Sequence, residues 1–114
     1  MEKNQILKIY GTDYKEMTKE LLKEADLAAL IPDKDTRIGI KPNLVSGSMA
    51  DYGATTHPEV AAGIIEYLQE RGFEKICMLE GSWVGDSTAQ VMELCGYQKL
   101  SEEYGIPFYD MQRE

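Results

Sequence analysis

The sequence predicts an α/β fold, with an open, mainly parallel sheet of about four strands and helices on both faces, in a Rossmann-like three-layer arrangement. Two observations predict it. Short apolar runs alternate with longer amphipathic stretches, which is typical of parallel strands joined by helical crossovers. One of the short runs, "KICMLE", is apolar at nearly every position, as expected of a strand covered on both faces. A length of 114 residues suits one α/β domain over residues 1–114.

The first two units each pair a strand with a helix. The first has a strand at residues 5–10, followed by the amphipathic stretch "DYKEMTKELLKEADLAAL", for which Asp13 is a suitable N-cap. The second has a strand at residues 37–41 and a helix that starts at Pro58, because proline is favoured in the first helical turn.

The rest of the chain predicts further strands and helices. A strand at residues 75–80 is followed by the loop "SWVGDS" and the helix "TAQVMELCGY". The stretch "QKLSEEYG" is a short helix or turn, and residues 107–110 form the last predicted strand. The sheet would then have two open edges, which favour pairing with further chain or with a partner.

Composition excludes several classes of partner. The formal net charge of -8 disfavours nucleic acid and anionic membranes. No stretch approaches the roughly 20 apolar residues that cross a bilayer, and the charged start lacks a secretory signal, so we predict a cytoplasmic protein. The chain has 2 cysteines, whereas an iron–sulfur cluster usually needs about four. We therefore expect no iron–sulfur cluster in this chain alone.

The carboxyl ends of parallel strands are where α/β proteins bind ligands. Three residues there carry reactive side chains: Lys41 ends the second predicted strand, Glu80 ends the third, and His57, the only histidine, precedes the second helix. We predict that Lys41 holds an anion and that His57 or Glu80 moves a proton. The alternatives are a Lys41–Glu80 ion pair and local hydrogen bonding by His57.

Polar residues near these three complete the predicted site. The predicted ligand-binding residues are Asn43, Thr55, Thr56, Gly81 and Ser82. Asn43 can instead stabilise its own turn, and one threonine can cap the second helix. The helix start favours negative charge, so we predict a small anionic ligand or a metal at the carboxyl ends of the second and third strands. No set of metal-ligating residues is predicted.

Four motifs resemble a known family. "IKPNLVSG", "GATTHPEV", "EGS" and "CGYQKLSEEYGIPFYDM" resemble the N-terminal part of the domain of unknown function 362 family, a set of uncharacterised, mostly prokaryotic, iron–sulfur-associated proteins. The resemblance implies an α/β domain, with the ferredoxin-like cysteines that some members have lying outside it. It also implies that this chain is the N-terminal part of a longer family domain, because the "PKLKTH"-like segment of that family is missing.

Three functions remain open at this point. The chain is an enzyme or binding domain for a small anion, a non-catalytic binding module of an iron–sulfur or redox assembly, or an inactive truncated piece of a longer protein. The second predicts a redox protein partner, and the third allows a homodimer. The reaction and its cofactor are unknown.

Overall fold

The computed structural model describes residues 4–42, 57–80 and 96–110. Within these ranges the chain forms three α-helices, one short 3-10 helix and three strands. In chain order they are α1 (Tyr14–Ala25), the 3-10 helix (Leu27–Leu30), β1 (Ile38–Ile40), α2 (Pro58–Glu70), β2 (Ile76–Glu80), α3 (Tyr97–Tyr104) and β3 (Phe108–Asp110). The predicted loop and helix at residues 81–95 lie outside the described residues.

The three strands form an open parallel sheet in the order β1-β2-β3. Ile40 pairs with Met78 on the central strand, and Met78 pairs with Phe108. Chain order and spatial order agree, so each described connection returns to the neighbouring strand through helical chain. The prediction of a small α/β fold with an open parallel sheet is confirmed.

One face of the sheet belongs to the hydrophobic core. Ile40, Ile76 and Met78 are buried in it, and α2 and α3 share the same core. The opposite face carries Cys77, which is half-buried, and Tyr109, which is 50% exposed. Within the described ranges, no helix shares a core with that face, so the second helical layer of the predicted arrangement is not seen there.

Helix α1 packs on α2 at a point of close backbone approach. A Cβ added to Gly63 of α2 would lie 2.7 Å from the carbonyl oxygen of Lys15 and 2.8 Å from Cβ of Thr18. Further along the pair, the amide of Ala28 donates to the hydroxyl of Tyr67 at 3.0 Å. The absence of a side chain at position 63 thus sets the distance between the two helices.

A polar cluster joins all three helices. Glu66 of α2 lies 3.1 Å from the ammonium nitrogens of both Lys15 and Lys19 of α1. The hydroxyl of Tyr104 on α3 donates a hydrogen bond to the same carboxylate. Lys19 also pairs with Glu70 at 2.7 Å. One carboxylate is therefore the common partner of α1 and α3.

The first predicted strand is not a strand. Residues 5–10 belong to no strand of the described sheet, which has three strands rather than about four. Leu7 and Ile9 line a cavity with Leu21 of α1, while Ile6 and Tyr10 are 80% and 89% exposed. Apolar character alone therefore did not place this segment in the described sheet.

The helix boundaries follow local sequence. The Asp13 carboxylate accepts from the amide of Glu16 at 3.2 Å, which confirms the predicted N-cap of α1. Asp26 adopts a left-handed backbone at φ 54°, and this ends α1 before the 3-10 helix. Gly72 has φ 87°, a conformation that glycine adopts readily after a helix end, as predicted.

Candidate functional site at the carboxyl edge

All three strands end at one edge of the sheet, here called the carboxyl edge. Lys41 follows the last residue of β1 and is exposed. Glu80 and Asp110 are the last residues of β2 and β3, and they are register partners. Two acidic positions therefore lie side by side where β2 and β3 end, and a lysine follows the end of β1.

The helices start at this same edge. Helix α2 leads into β2. Just before β2, the carbonyl oxygen of Lys75 accepts a hydrogen bond from the amide of Ile38 in β1 at 2.8 Å. Helix α3 leads into β3 in the same way through Gly105. Because each helix ends where a parallel strand begins, each must begin near the edge where the strands end.

The helix starts contact one another. The rings of Tyr14, the first residue of α1, and His57, the N-cap of α2, have centroids 4.6 Å apart and planes tilted by 56°. A Cβ on Gly96, the N-cap of α3, would lie 3.5 Å from Cγ of Pro58. The first turns of α1, α2 and α3 therefore meet, with α2 in the middle.

A cleft of about 540 Å³ lies between these helix starts. Its walls are Asp13, Lys15, Pro58, Glu59, Ala62, Gly96, Lys99, Leu100, Glu103 and Tyr104. Helix N-termini carry a partial positive charge of about half an elementary charge each. The two lysines reinforce that field and the three carboxylates oppose it. The cleft therefore combines donors for an anionic group with acceptors for hydrogen-bond donors.

A second hollow, of about 470 Å³, lies beside His57. Thr12, Asp13, Tyr14 and Glu59 complete its described lining. The imidazole makes no side-chain cap to α2, and local hydrogen bonding by His57 stays an open alternative. The hollow offers an imidazole, a phenol, a hydroxyl and two carboxylates to a ligand.

The predicted site residues divide into two groups. Lys41, His57 and the backbone of Glu80 lie where the strands end and the helices start. Of the described residues, the lining of the hollow at His57 does not include Lys41, so a single hollow shared by all three stays a prediction. The predicted ligand-binding residues lie outside the described residues, as does the side chain of Glu80; they are Asn43, Thr55, Thr56, Gly81 and Ser82.

Capping of α2 by Thr55 or Thr56, the alternative role for one threonine, lies outside the described residues. The N-cap position is His57, and Pro58 occupies the first turn. Proline lacks an amide hydrogen, so the helix start has one donor fewer that needs a cap. This reduces the need for a hydroxyl at the N-cap.

Sequence reasoning missed residues at the starts of α1 and α3. Tyr14, Glu59 and Lys99 line the two hollows, and none had a predicted role. A signal was present in the topology: every helix of a parallel α/β fold starts at the carboxyl edge. The residue that follows the N-cap Asp13 was therefore a candidate wall of the site.

Two searches of the described ranges found nothing. In residues 4–42, 57–80 and 96–110, no three or more histidine, cysteine or acidic side chains group together as metal ligands. In the same ranges, no helix has the length and apolar character needed to cross a membrane.

The fold and the edge define a small parallel α/β domain whose helix starts surround a polar cleft. The chain belongs to the family described as Domain of unknown function (DUF362), whose sequence profile matches residues 38–114. This confirms the resemblance drawn from the "IKPN" and "TTHPEV" motifs. The matched residues begin at β1 and do not include α1. No curated protein and no solved structure matches the chain.

Proposed function

We propose that the carboxyl edge binds a small anionic ligand. The observation that carries this is the meeting of three helix N-termini around one cleft, shown by the Tyr14–His57 and Gly96–Pro58 contacts. Amides at a helix start point outward and, together with the helix dipole, favour negative charge. Three such starts at one place favour it more than one does.

Basic side chains support an anion at this edge. Lys41 follows β1 and Lys99 lines the cleft on α3. A lysine ammonium is a compact charge with three donors, which suits phosphate or carboxylate oxygens. The connection from Pro42 to His57 begins and ends at this edge, so Asn43, Thr55 and Thr56 are proposed as further ligand contacts.

The acidic residues narrow the class of ligand. Asp13 and Glu59 line both hollows, and carboxylates accept hydrogen bonds only. They favour a ligand whose anionic group is accompanied by hydroxyl or amino donors. His57 and Glu80 are the proposed proton-transfer groups if the ligand is a substrate. Gly81 and Ser82, which follow Glu80 in the chain, are proposed as further ligand-binding residues.

The experiment is a thermal-shift comparison of anions and variants. Methyl phosphate and glycerol phosphate form a matched pair, because only the second adds hydroxyl donors. A ligand at about ten times its Kd stabilises the fold by about 1.4 kcal/mol, which raises Tm by several degrees in a domain of this size. We expect glycerol phosphate to give the larger shift.

The variants compare a lysine that follows a strand, Lys41, with one that precedes a strand, Lys75. Lys41→Ala is expected to remove most of the shift, whereas Lys75→Ala, next to the start of β2 at the opposite edge, is the matched control and keeps it. His57→Ala is expected to weaken the shift as well. If no anion raises Tm, or if Lys75→Ala reduces the shift as much as Lys41→Ala, the proposal is wrong.

A second candidate function is a non-catalytic binding module with a redox protein or a second copy as partner. The observation in its favour is the sheet itself: among the described strands, β1 and β3 lie at the two edges, and Tyr109 on β3 is 50% exposed. Edge strands have unpaired amides and carbonyls that can pair with another chain. Sedimentation that shows a dimer, together with no effect of any anion on Tm, would favour this candidate over the first.

A further inference from the structure

We infer that Tyr14 is a positioning residue for His57, and that helix α1 thereby contributes to the site from outside the family-matched region. This inference deepens the proposed function and rests on it for the role of the site. Tyr14 belongs to residues 1–37, whereas the family match begins at residue 38. His57 therefore lies within the family-matched region, whereas the tyrosine ring beside it comes from α1, which precedes that region.

The contact between the two rings is direct. Their centroids are 4.6 Å apart with a tilt of 56°, which is within the range in which aromatic rings attract one another. Tyr14 is 42% exposed, so its ring lies at the wall of the hollow rather than in the core. His57 makes no side-chain cap to α2, and the ring of Tyr14 lies against its imidazole.

The position of Tyr14 relative to α2 is fixed along the whole helix pair. Gly63 lets the backbone of α1 approach closely at Lys15 and Thr18. Two ion pairs of 3.1 Å join Glu66 to α1 one turn further on. A sliding of α1 along α2 would break these contacts together, so the start of α1 is held at the start of α2.

A rotamer-restricted imidazole matters for binding and proton transfer. A group that must meet a ligand atom loses effectiveness when it samples several orientations. The Tyr14 ring occupies space that the imidazole would otherwise sample, and it does so beside Thr12 and Glu59 in the same hollow. Tyr14 thus acts on the ligand through His57.

The chain allows an unusually clean experiment because it has 1 histidine. The imidazole protons give a single set of proton NMR signals, and a tyrosine ring 4.6 Å away shifts them by its ring current. In the unaltered protein we expect nuclear Overhauser contacts between the Tyr14 and His57 ring protons. This part of the test needs no variant and no ligand.

The variants then separate the ring from its hydroxyl. Tyr14→Leu is expected to move the His57 signals toward those of a free imidazole, while Tyr14→Phe keeps them in place. Tyr10→Leu, at a tyrosine that is 89% exposed, is the control and leaves them unchanged. Phosphate titration followed on the same signals is expected to show an affinity loss of about two- to tenfold in Tyr14→Leu and rescue in Tyr14→Phe.

The outcomes distinguish the two proposals. If phosphate does not bind the unaltered protein, the anion site is wrong, and the ring contacts still decide whether Tyr14 orients His57. If the His57 signals are the same in Tyr14→Leu as in the unaltered protein, or if Tyr14→Leu binds phosphate equally well, the positioning role is overturned.

Discussion

Tyr104 of α3 donates a hydrogen bond to Glu66 of α2 through its hydroxyl. The two residues are 38 positions apart in the chain, and their contact joins the helix between β1 and β2 to the helix between β2 and β3. Glu66 also pairs with Lys15 and Lys19 of α1. The contact therefore belongs to a cluster that fixes the arrangement of the three helices whose starts form the candidate site.

Removal of the Tyr104 hydroxyl is expected to destabilise the fold. Tyr104→Phe keeps the ring and deletes the donor to a partly buried carboxylate, and a hydrogen bond to a charged group contributes about 1.5–3 kcal/mol. Since the lysines still neutralise Glu66, we expect a loss of about 1–2 kcal/mol in the free energy of unfolding. Urea denaturation measures it.

Tyr109→Phe is the matched control for this prediction. Tyr109 is 50% exposed, so loss of its hydroxyl is expected to change stability by less than about 0.5 kcal/mol. Equal stabilities of Tyr104→Phe and Tyr109→Phe would show that the hydroxyl of Tyr104 contributes nothing.

Glu66 is expected to make the fold sensitive to acid. The hydrogen bond from Tyr104 is the largest cause that lowers the pKa of Glu66 from 4.5 to about 2; partial burial opposes it, and contacts with Lys15 and Lys19 lower it further. Because the folded pKa is below the unfolded one, the stabilisation is complete above the unfolded pKa and is lost as pH falls toward 2.

The variant Glu66→Gln tests this pH dependence. It has no carboxylate to protonate, so the fall in unfolding free energy between about pH 6 and about pH 3 should be smaller than in the unaltered protein. Glu74→Gln, at an exposed position, should keep the original fall. The same pH dependence in Glu66→Gln and the unaltered protein would contradict the assignment.

The α1–α2 packing predicts a severe effect of one methyl group. Gly63→Ala brings a Cβ to 2.7 Å from a backbone carbonyl oxygen of α1, and overpacking of this kind costs about 1–3 kcal/mol. The gain in helix propensity, about 1 kcal/mol for this change, offsets only part of it. We therefore expect a lower Tm and a changed Tyr14–His57 contact.

Gly11→Ala is the control that separates packing from the glycine-to-alanine change itself. There the added Cβ would meet the sulfur of Met17 at 2.9 Å, which is part of a flexible side chain that can move. A smaller loss than in Gly63→Ala is expected. If Gly63→Ala is as stable as the unaltered protein, the helices are not as close as the structure indicates.

Much of the central fold could be predicted from local sequence. The start of α2 at Pro58 and the end before Gly72 depend on backbone preferences of single residues, and both are confirmed. Burial along α2 depends on more than local sequence: Gly63 is buried because Lys15 and Thr18 of α1 lie directly against it.

The first strand shows where local pattern fails. Residues 5–10 have the apolar character of a strand, but a strand also needs a neighbour with which to exchange hydrogen bonds. No local property decides whether such a neighbour is in reach. Here Leu7 and Ile9 line a hollow beside Leu21 of α1, and the segment belongs to no strand of the described sheet.

The sequence could predict the edge of the sheet where the candidate site lies, but not the contacts between its residues. Lys41, His57 and Glu80 follow from the rule that strand ends and helix starts share an edge. The partner of His57 could not be found in this way, because Tyr14 reaches it from 43 residues earlier through the packing of two helices. Such contacts depend on tertiary distances, which neither periodicity nor motif spacing contains.

The most decisive experiment is an amide NMR titration of the unaltered chain with glycerol phosphate. An anion held between the helix starts is expected to shift the amides of Tyr14, Glu59, Val60 and Lys99 together with the His57 ring protons, with one common Kd. The amides of Arg37 and Lys75 at the opposite edge should stay in place. Shifts that cluster at Arg37 and Lys75, or that are spread evenly over the surface, would contradict a ligand site at the carboxyl edge.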